Sequence, residues 1–167
     1  MGNGDGSFEA FCAAAYVPVF RDLAVAFGDR QLAEEAAQEA FTRAYTRWER
    51  VGRMARPAGW AYVAGVRAAR RQRRDLLRDP AGPIDARDVA TEVVDRVTLQ
   101  TAIGELPTRQ RVALVLRHHA GLSLDEIAQA MGCAVGTVKS TLHAVHGRLH
   151  VELEDDDDIP EVELDAP

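Results

Sequence analysis

The stretch LAEEAAQEAFTRAYTRW, residues 32–48, constrains the chain more than any other. Ala33, Ala37, Ala40, Phe41, Ala44 and Trp48 recur at helical spacing, while Glu34, Glu35, Gln38 and Arg43 fall largely elsewhere. That pattern predicts an amphipathic helix of about four turns. No alternation of apolar and polar residues lasts long enough to predict a strand. An all-α chain follows, and 167 residues allow one ordinary domain or two small ones.

Breaks in the pattern divide the chain. "ERVGRMARPAG" (49–59), with two glycines and a proline, predicts a loop, followed by a helix from about Trp60 to Arg78. "DPAGPIDARD" opens a linker over 79–91. Beyond it, Leu99, Ala102, Ile103 and Leu106 mark a helix ended by Pro107. "TRQRVALVLRHHAG" predicts another, with Val112, Val115 and Leu116 inward and Gly121 near its end. Ser123 and Glu126 have the spacing of a capping box. The expected organisation is a helical domain over 7–78, the linker, a helical domain over 92–150 and an acidic, mobile tail over 151–167.

With 47% of residues apolar, a buried core is feasible. We expect no membrane-length apolar run, no signal peptide in "MGNGDGSF" and no disulfide between the distant Cys12 and Cys133. A cytoplasmic protein without membrane contact is the expectation. Cys133 is expected to be a buried thiol in a turn. No nucleophile–base pair, Gly-rich phosphate loop or HExxH appears, so neither an enzyme nor a cofactor is expected. His143, His146 and His150 share a helix face, a spacing zinc could use, but surface histidines near DNA explain it more simply and no metal is assigned.

The net charge of −6 conceals segregation. Residues 41–78 hold eleven arginines against Glu49 and Asp75, a net of +9, while residues 151–167 carry nine acids and no base. On a helix over 60–78, Arg67, Arg70, Arg71, Arg74 and Arg78 form one stripe, continued by Trp60, Val63 and Ala64. Tyr62, Val66, Ala69 and Leu76 lie opposite and are expected to face the core. Arginines suit phosphates and a tryptophan face suits an unstacked base, so nucleic acid is the expected partner. The tail is read as a solubilising appendage, with a DNA mimic folding back on these arginines as the second reading.

"MGCAVGTVKSTLHAVHG" (131–147) has helix-turn-helix spacing. Ile127, Ala128 and Met131 belong to a first helix that turns at Gly132. Val138, Leu142, Val145 and Leu149 make the apolar side of the second helix, and Gly136, Ser140, His143 and Gly147 the exposed side, flanked by Thr137 and Lys139. One lysine is little charge for DNA, so this face is expected to bind weakly alone.

Four stretches together resemble the extracytoplasmic-function (ECF) type of sigma-70 family RNA polymerase sigma factors. They are "AEEAAQEAFTRAYTRW", "GWAYVAGVRAARRQRR", "LPTRQRVALVLRHHAGLSLDEIAQAMG" and "VGTVKSTLHAVHGRL". The resemblance implies a transcription initiation factor that binds core RNA polymerase, including its clamp helices and flap, and directs it to promoter DNA. It implies clamp-helix docking by Glu35, Gln38, Glu39 and Phe41, and base capture from the −10 element by the loop 49–59. Trp60, Arg67, Arg70, Arg71, Arg74 and Arg78 would contact the opened strand and upstream duplex. Thr137, Lys139, Ser140 and His143 would read the −35 element. An anti-sigma factor is a further implied partner.

Four positions depart from the family pattern: Arg67 where asparagine is common, Ala134 in place of a serine cap, and Thr141 and Ala144 where arginines are frequent. These keep a degenerate sigma-like protein that binds an anti-sigma partner as an alternative. A helix-turn-helix regulator of the LuxR type is another, but it would need an α/β or ligand domain upstream.

Overall fold

The computed structural model describes residues 5–74 and 101–154, with side chains described over 8–74 and 101–149. The helices are α1 (Asp5–Phe27), α2 (Arg30–Tyr45), α3 (Trp48–Val51), α4 (Pro57–Gln72), α5 (101–105), α6 (Thr108–His118), α7 (Leu124–Met131) and α8 (Val135–Glu154). No strand occurs among the described residues.

The alanine stripe of α2 is its inner face. Ala33, Ala36, Ala37, Ala40 and Ala44 are buried with Leu32 and Phe41. Small side chains there let α2 lie close on α4, whose buried residues include Ala61, Ala64, Gly65, Ala68 and Ala69. Asp29 starts α2 by accepting the Leu32 N–H at 2.9 Å, satisfying one of the donors a helix start leaves open. The helix stops at Tyr45, earlier than expected, and Trp48 opens α3 after a change of direction at Arg47. Trp48 still joins the aromatic end of the core, with its ring centroid 5.0 Å from that of Phe11.

The structure corrects the expected loop and the helix after it. Residues 49–59 contain most of α3 and the first turn of α4, which Pro57 initiates where its missing N–H costs nothing. At the far end α4 stops at Gln72, with Arg73 at φ −128°, ψ 84°. Leaving the helix there takes the Arg73 guanidinium to Asp29, 2.8 Å away. The single stripe expected over 60–78 therefore ends before Arg74.

α1 contains a proline, Pro18, which leaves the carbonyl of Ala14 without its helical donor. Both residues are exposed, so that carbonyl can take water. The opposite face buries Val19, Leu23, Ala24, Ala26 and Phe27. α1 also overturns one expectation, because Phe8–Phe27 is long and apolar enough to cross a membrane, at mean hydropathy 1.5. In the structure this helix packs on α2, α4 and α6 and supplies part of the core.

Pro107 separates α5 from α6, and Val112, Val115 and Leu116 are buried as expected. The capping box is present: Glu126 N–H donates to Ser123 Oγ at 3.3 Å, and Ser123 N–H to Glu126 Oε2 at 2.8 Å. Gly132 ends α7 at φ 62°, a left-handed conformation that favours glycine. Val138, Leu142 and Val145 of α8 are buried. One continuous cluster joins the two halves, from Leu23, Phe27, Val66 and Ala69 to Val112, Leu116, Leu122 and Ile127. Leu106, Leu114 and Val145 form a second, smaller cluster with Ile103 and Leu149 against it.

Candidate nucleic-acid interface

On α8 the apolar side faces inward, and Gly136, Lys139, Ser140, His143 and Gly147 are exposed. Thr137 is half-buried, and its carbonyl accepts the hydroxyls of Ser140 (3.0 Å) and Thr141 (2.7 Å). A Cβ on Gly136 or Gly147 would meet nothing within 4 Å, so this face is flat and open. Its charged side chain is Lys139; Arg148 is exposed too, but nine residues on it lies half-way round the helix.

The arginines of α4 are placed differently from expectation. Arg67 Nε donates to the Gln129 carbonyl at 3.3 Å, and Arg70 Nη1 to the Ala130 carbonyl at 3.1 Å. Arg71 pairs with Glu39 of α2, which also holds Arg43 at 2.8 Å. The stripe is thus not a free cationic face: Arg67 and Arg71 stay exposed, but α7 takes bonds from Arg67 and Arg70 and α2 pairs with Arg71. Tyr62, Val66 and Ala69 do face the core on the other side. Trp60 is half-buried and packs on the main cluster. Arg74 is exposed beyond the helix end, and Arg78 lies outside the described residues.

On α2, Glu35 and Gln38 are exposed, Glu39 is half-exposed and Phe41 is buried. Phe41 stacks on Phe11 at 5.2 Å between centroids and meets Tyr16 edge-on. It positions the helix and offers no outward surface. Glu34 and Glu35 accept side-chain hydrogen bonds from Gln38 and Gln31, so the outer face of α2 is an acidic, hydrogen-bonded surface.

Sequence reasoning missed Arg111, which is 1% exposed. Its guanidinium donates to the carbonyls of Ala26, Gly104 and Leu106 at 3.0, 3.0 and 2.9 Å. Burial lowers its pKa to about 10, which leaves it charged at neutral pH. Asp22 was missed as well. It accepts the Tyr62 hydroxyl at 2.5 Å and lies 3.1 Å from His119 Nδ1, joining α1, α4 and the end of α6. Burial, then Asp22, raises the Tyr62 pKa. No sequence spacing marks either residue, because both act between distant elements.

Cys133 is half-buried and not the buried thiol expected; Cys12 is half-buried too. His146 lies edge-on to His118, 5.9 Å between centroids, while the side chain of His150 is outside those described. No group of three metal-ligating side chains occurs among the described residues. The tail beyond residue 154 and the linker 79–91 lie outside the described residues.

Residues 13–78 match the family model for sigma-70 region 2, and residues 96–145 match sigma-70 region 4. The chain is 37% identical over 127 residues to an RNA polymerase sigma-E factor of Streptomyces antibioticus, covering 73% of this chain and 71% of that one. It is 30% identical over 138 residues to the ECF RNA polymerase sigma factor SigL of Mycobacterium tuberculosis, covering 77% and 78%. In fold it is similar to the sigma factor RpoE of Bartonella quintana, solved in complex with the anti-sigma factor NepR. That likeness has a TM-score of 0.65 at 20% identity and covers 89% of this chain and 98% of that one. The chain belongs to the sigma-70 family of RNA polymerase sigma factors, among its ECF members, with region 2 in its first half and region 4 in its second.

Proposed function

We propose that this chain is a transcription initiation factor that binds core RNA polymerase and directs it to promoters through two separate DNA contacts. The exposed face of α8, with Lys139, Ser140 and His143 beside Thr137, reads the −35 element. The segment from α3 through α4, with Trp60, Arg67, Arg70, Arg71, Arg74 and Arg78, takes the −10 element and holds its opened strand. The acidic outer face of α2, at Glu35, Gln38 and Glu39, docks on the clamp helices of the polymerase. The chain works in the cytoplasm as a reversibly bound subunit, with no catalytic step of its own.

One observation carries this reading: a helix-turn-helix with an open outer face and an arginine-rich helix occur in one chain, each within the matching sigma region. Helical structure over residues 5–74, matching region 2, replaces the α/β or ligand domain that the LuxR-type alternative requires. The physical logic is a division of labour. An α8 face with so little charge fixes register, and the arginines supply the phosphate affinity that it lacks.

In-vitro transcription with core polymerase and a promoter library tests the reading. Promoter-dependent transcripts that require the chain are the expected result. Absence of transcripts from every promoter would instead favour the degenerate, partner-binding alternative.

A further inference from the structure

On the open face of α8, the Ser140 hydroxyl lies 3.0 Å from the carbonyl of Thr137. A carbonyl oxygen only accepts, so the proton between them comes from the hydroxyl. Thr141 donates to the same carbonyl at 2.7 Å. A serine hydroxyl has one proton and two lone pairs. With its proton directed back into the helix, Ser140 turns only acceptor capacity outward. Lys139 beside it has the opposite character, since an ammonium only donates.

Serine is short, so a group that pairs with it must come close to the α8 backbone. Its neighbours one turn to either side are Gly136 and Ala144, and both are exposed. A Cβ on Gly136 would meet nothing within 4 Å, so that approach is clear. An arginine at residue 144, which the family pattern favours, would stand over the same row. Thr141 is half-buried and lies off it.

In the major groove, purine N7, guanine O6 and thymine O4 accept, and the donors are the amino groups at adenine N6 and cytosine N4. A serine with a free proton pairs with either kind. The Ser140 proton is already committed. Pairing with an acceptor would break its bond to Thr137 and only exchange one hydrogen bond for another. Pairing with an amino group adds a bond and keeps the first.

We propose that Ser140 reads an exocyclic amino group at one −35 position, and so selects adenine or cytosine over guanine or thymine on the strand it faces. This assignment rests on reading α8 as the −35 helix and adds the base chemistry that the helix recognises. Ala144 then has a use, because a small residue there leaves the short serine within reach of a base edge.

Fluorescence anisotropy of the holoenzyme tests this on duplexes of a promoter recovered from the transcription library. Each −35 position carries all four bases in turn, for the wild type and for Ser140→Ala. Ser140 is exposed and alanine is a strong helix former, so the variant should fold, and circular dichroism checks that it does. One position should favour adenine or cytosine over guanine or thymine by about fivefold on one strand. Ser140→Ala should remove that difference there and leave the other positions as they were. At that position, exchanging adenine for purine, or cytosine for 2-pyrimidinone, deletes the amino group alone. The exchange should cost the wild type about fivefold and Ser140→Ala nothing.

The assignment is overturned if Ser140→Ala alters no position, if the preference it removes is for guanine or thymine, or if the wild type tolerates loss of the amino group. In each of those cases the wild type still discriminates among −35 bases. A wild-type holoenzyme indifferent to every −35 base would instead sink the reading of α8 itself, and this assignment with it.

Discussion

The guanidinium of Arg111 donates from Nε to the carbonyl of Ala26, 85 residues earlier, at 3.0 Å. Through this one buried side chain the region 4 half is tied to the last turn of α1. Its other acceptors are the carbonyls of Gly104 and Leu106, with Thr108 Oγ1 at 3.4 Å. No carboxylate among the described residues pairs with it. Carbonyl and hydroxyl dipoles, with no counter-charge, only partly offset the cost of removing the charge from water, which is why its pKa falls.

Arg111→Met should therefore destabilise the fold. The methionine occupies similar space but leaves buried carbonyls without donors, at about 1–3 kcal/mol. A urea melt should show the midpoint lowered with the slope unchanged. An unchanged midpoint would mean that the hydrogen bonds only balance the desolvation of the cation.

Ala134 precedes α8, and its carbonyl accepts the N–H groups of Thr137 (3.0 Å) and Val138 (3.2 Å). Its side chain has no oxygen to offer the helix start. Ala134→Ser should stabilise the chain by about 1 kcal/mol by capping the Gly136 or Thr137 N–H. Denaturant unfolding measures the gain. The same substitution should leave the Lys139 face in place, so −35 affinity should not fall.

Elements with their own repeat or cap were legible in the sequence. The α2 alanines, the Ser123–Glu126 box, Gly132 and the inner face of α8 all report local geometry, and the structure agrees at each. What was not legible depends on neighbours remote in sequence. A stripe of arginines looks solvent-facing until α7 is laid along it, and the acid that pairs with Arg71 of the stripe, Glu39, comes from α2. Helix ends failed for the same reason, because Arg73 leaves α4 to meet Asp29. Nothing in the local sequence marks Arg111, because the carbonyls of Ala26, Gly104 and Leu106 that receive its guanidinium lie in other segments.

Stability should fall in two steps as the solution is acidified. Burial, then His146, Arg117 and His119, hold the His118 pKa below its ordinary 6.5, so the unfolded chain binds this proton first. Stability is then lost as pH drops below 6.5 and levels off beneath the folded value. Glu126 is held below its ordinary 4.5, chiefly by the Ser123 N–H, so its contribution is present above 4.5 and is lost as pH falls through the folded value. Thermal melts from pH 8 to pH 3 check this. His118→Gln should flatten the upper step alone and Glu126→Gln the lower one; a single substitution that removes both steps would refute the assignment.

Lys139 is an exposed cation at the edge of the α8 face, and His143 lies one turn on. A lysine there acts as a point charge on a phosphate, not as a reader of base edges. Lys139→Gln should therefore weaken holoenzyme binding by a similar factor on every −35 sequence tested, with the log–log salt slope reduced by about 0.9. Ser140→Ala should do the opposite: it removes no charge, so the slope stays and the preference among −35 sequences narrows. Fluorescence anisotropy on a panel of −35 variants over a salt series measures both quantities. A sequence-dependent loss for Lys139→Gln at unchanged slope would move that residue from the phosphates to the base edges. Register on the promoter would then depend on the half-buried Thr137 and on the arginines of α4.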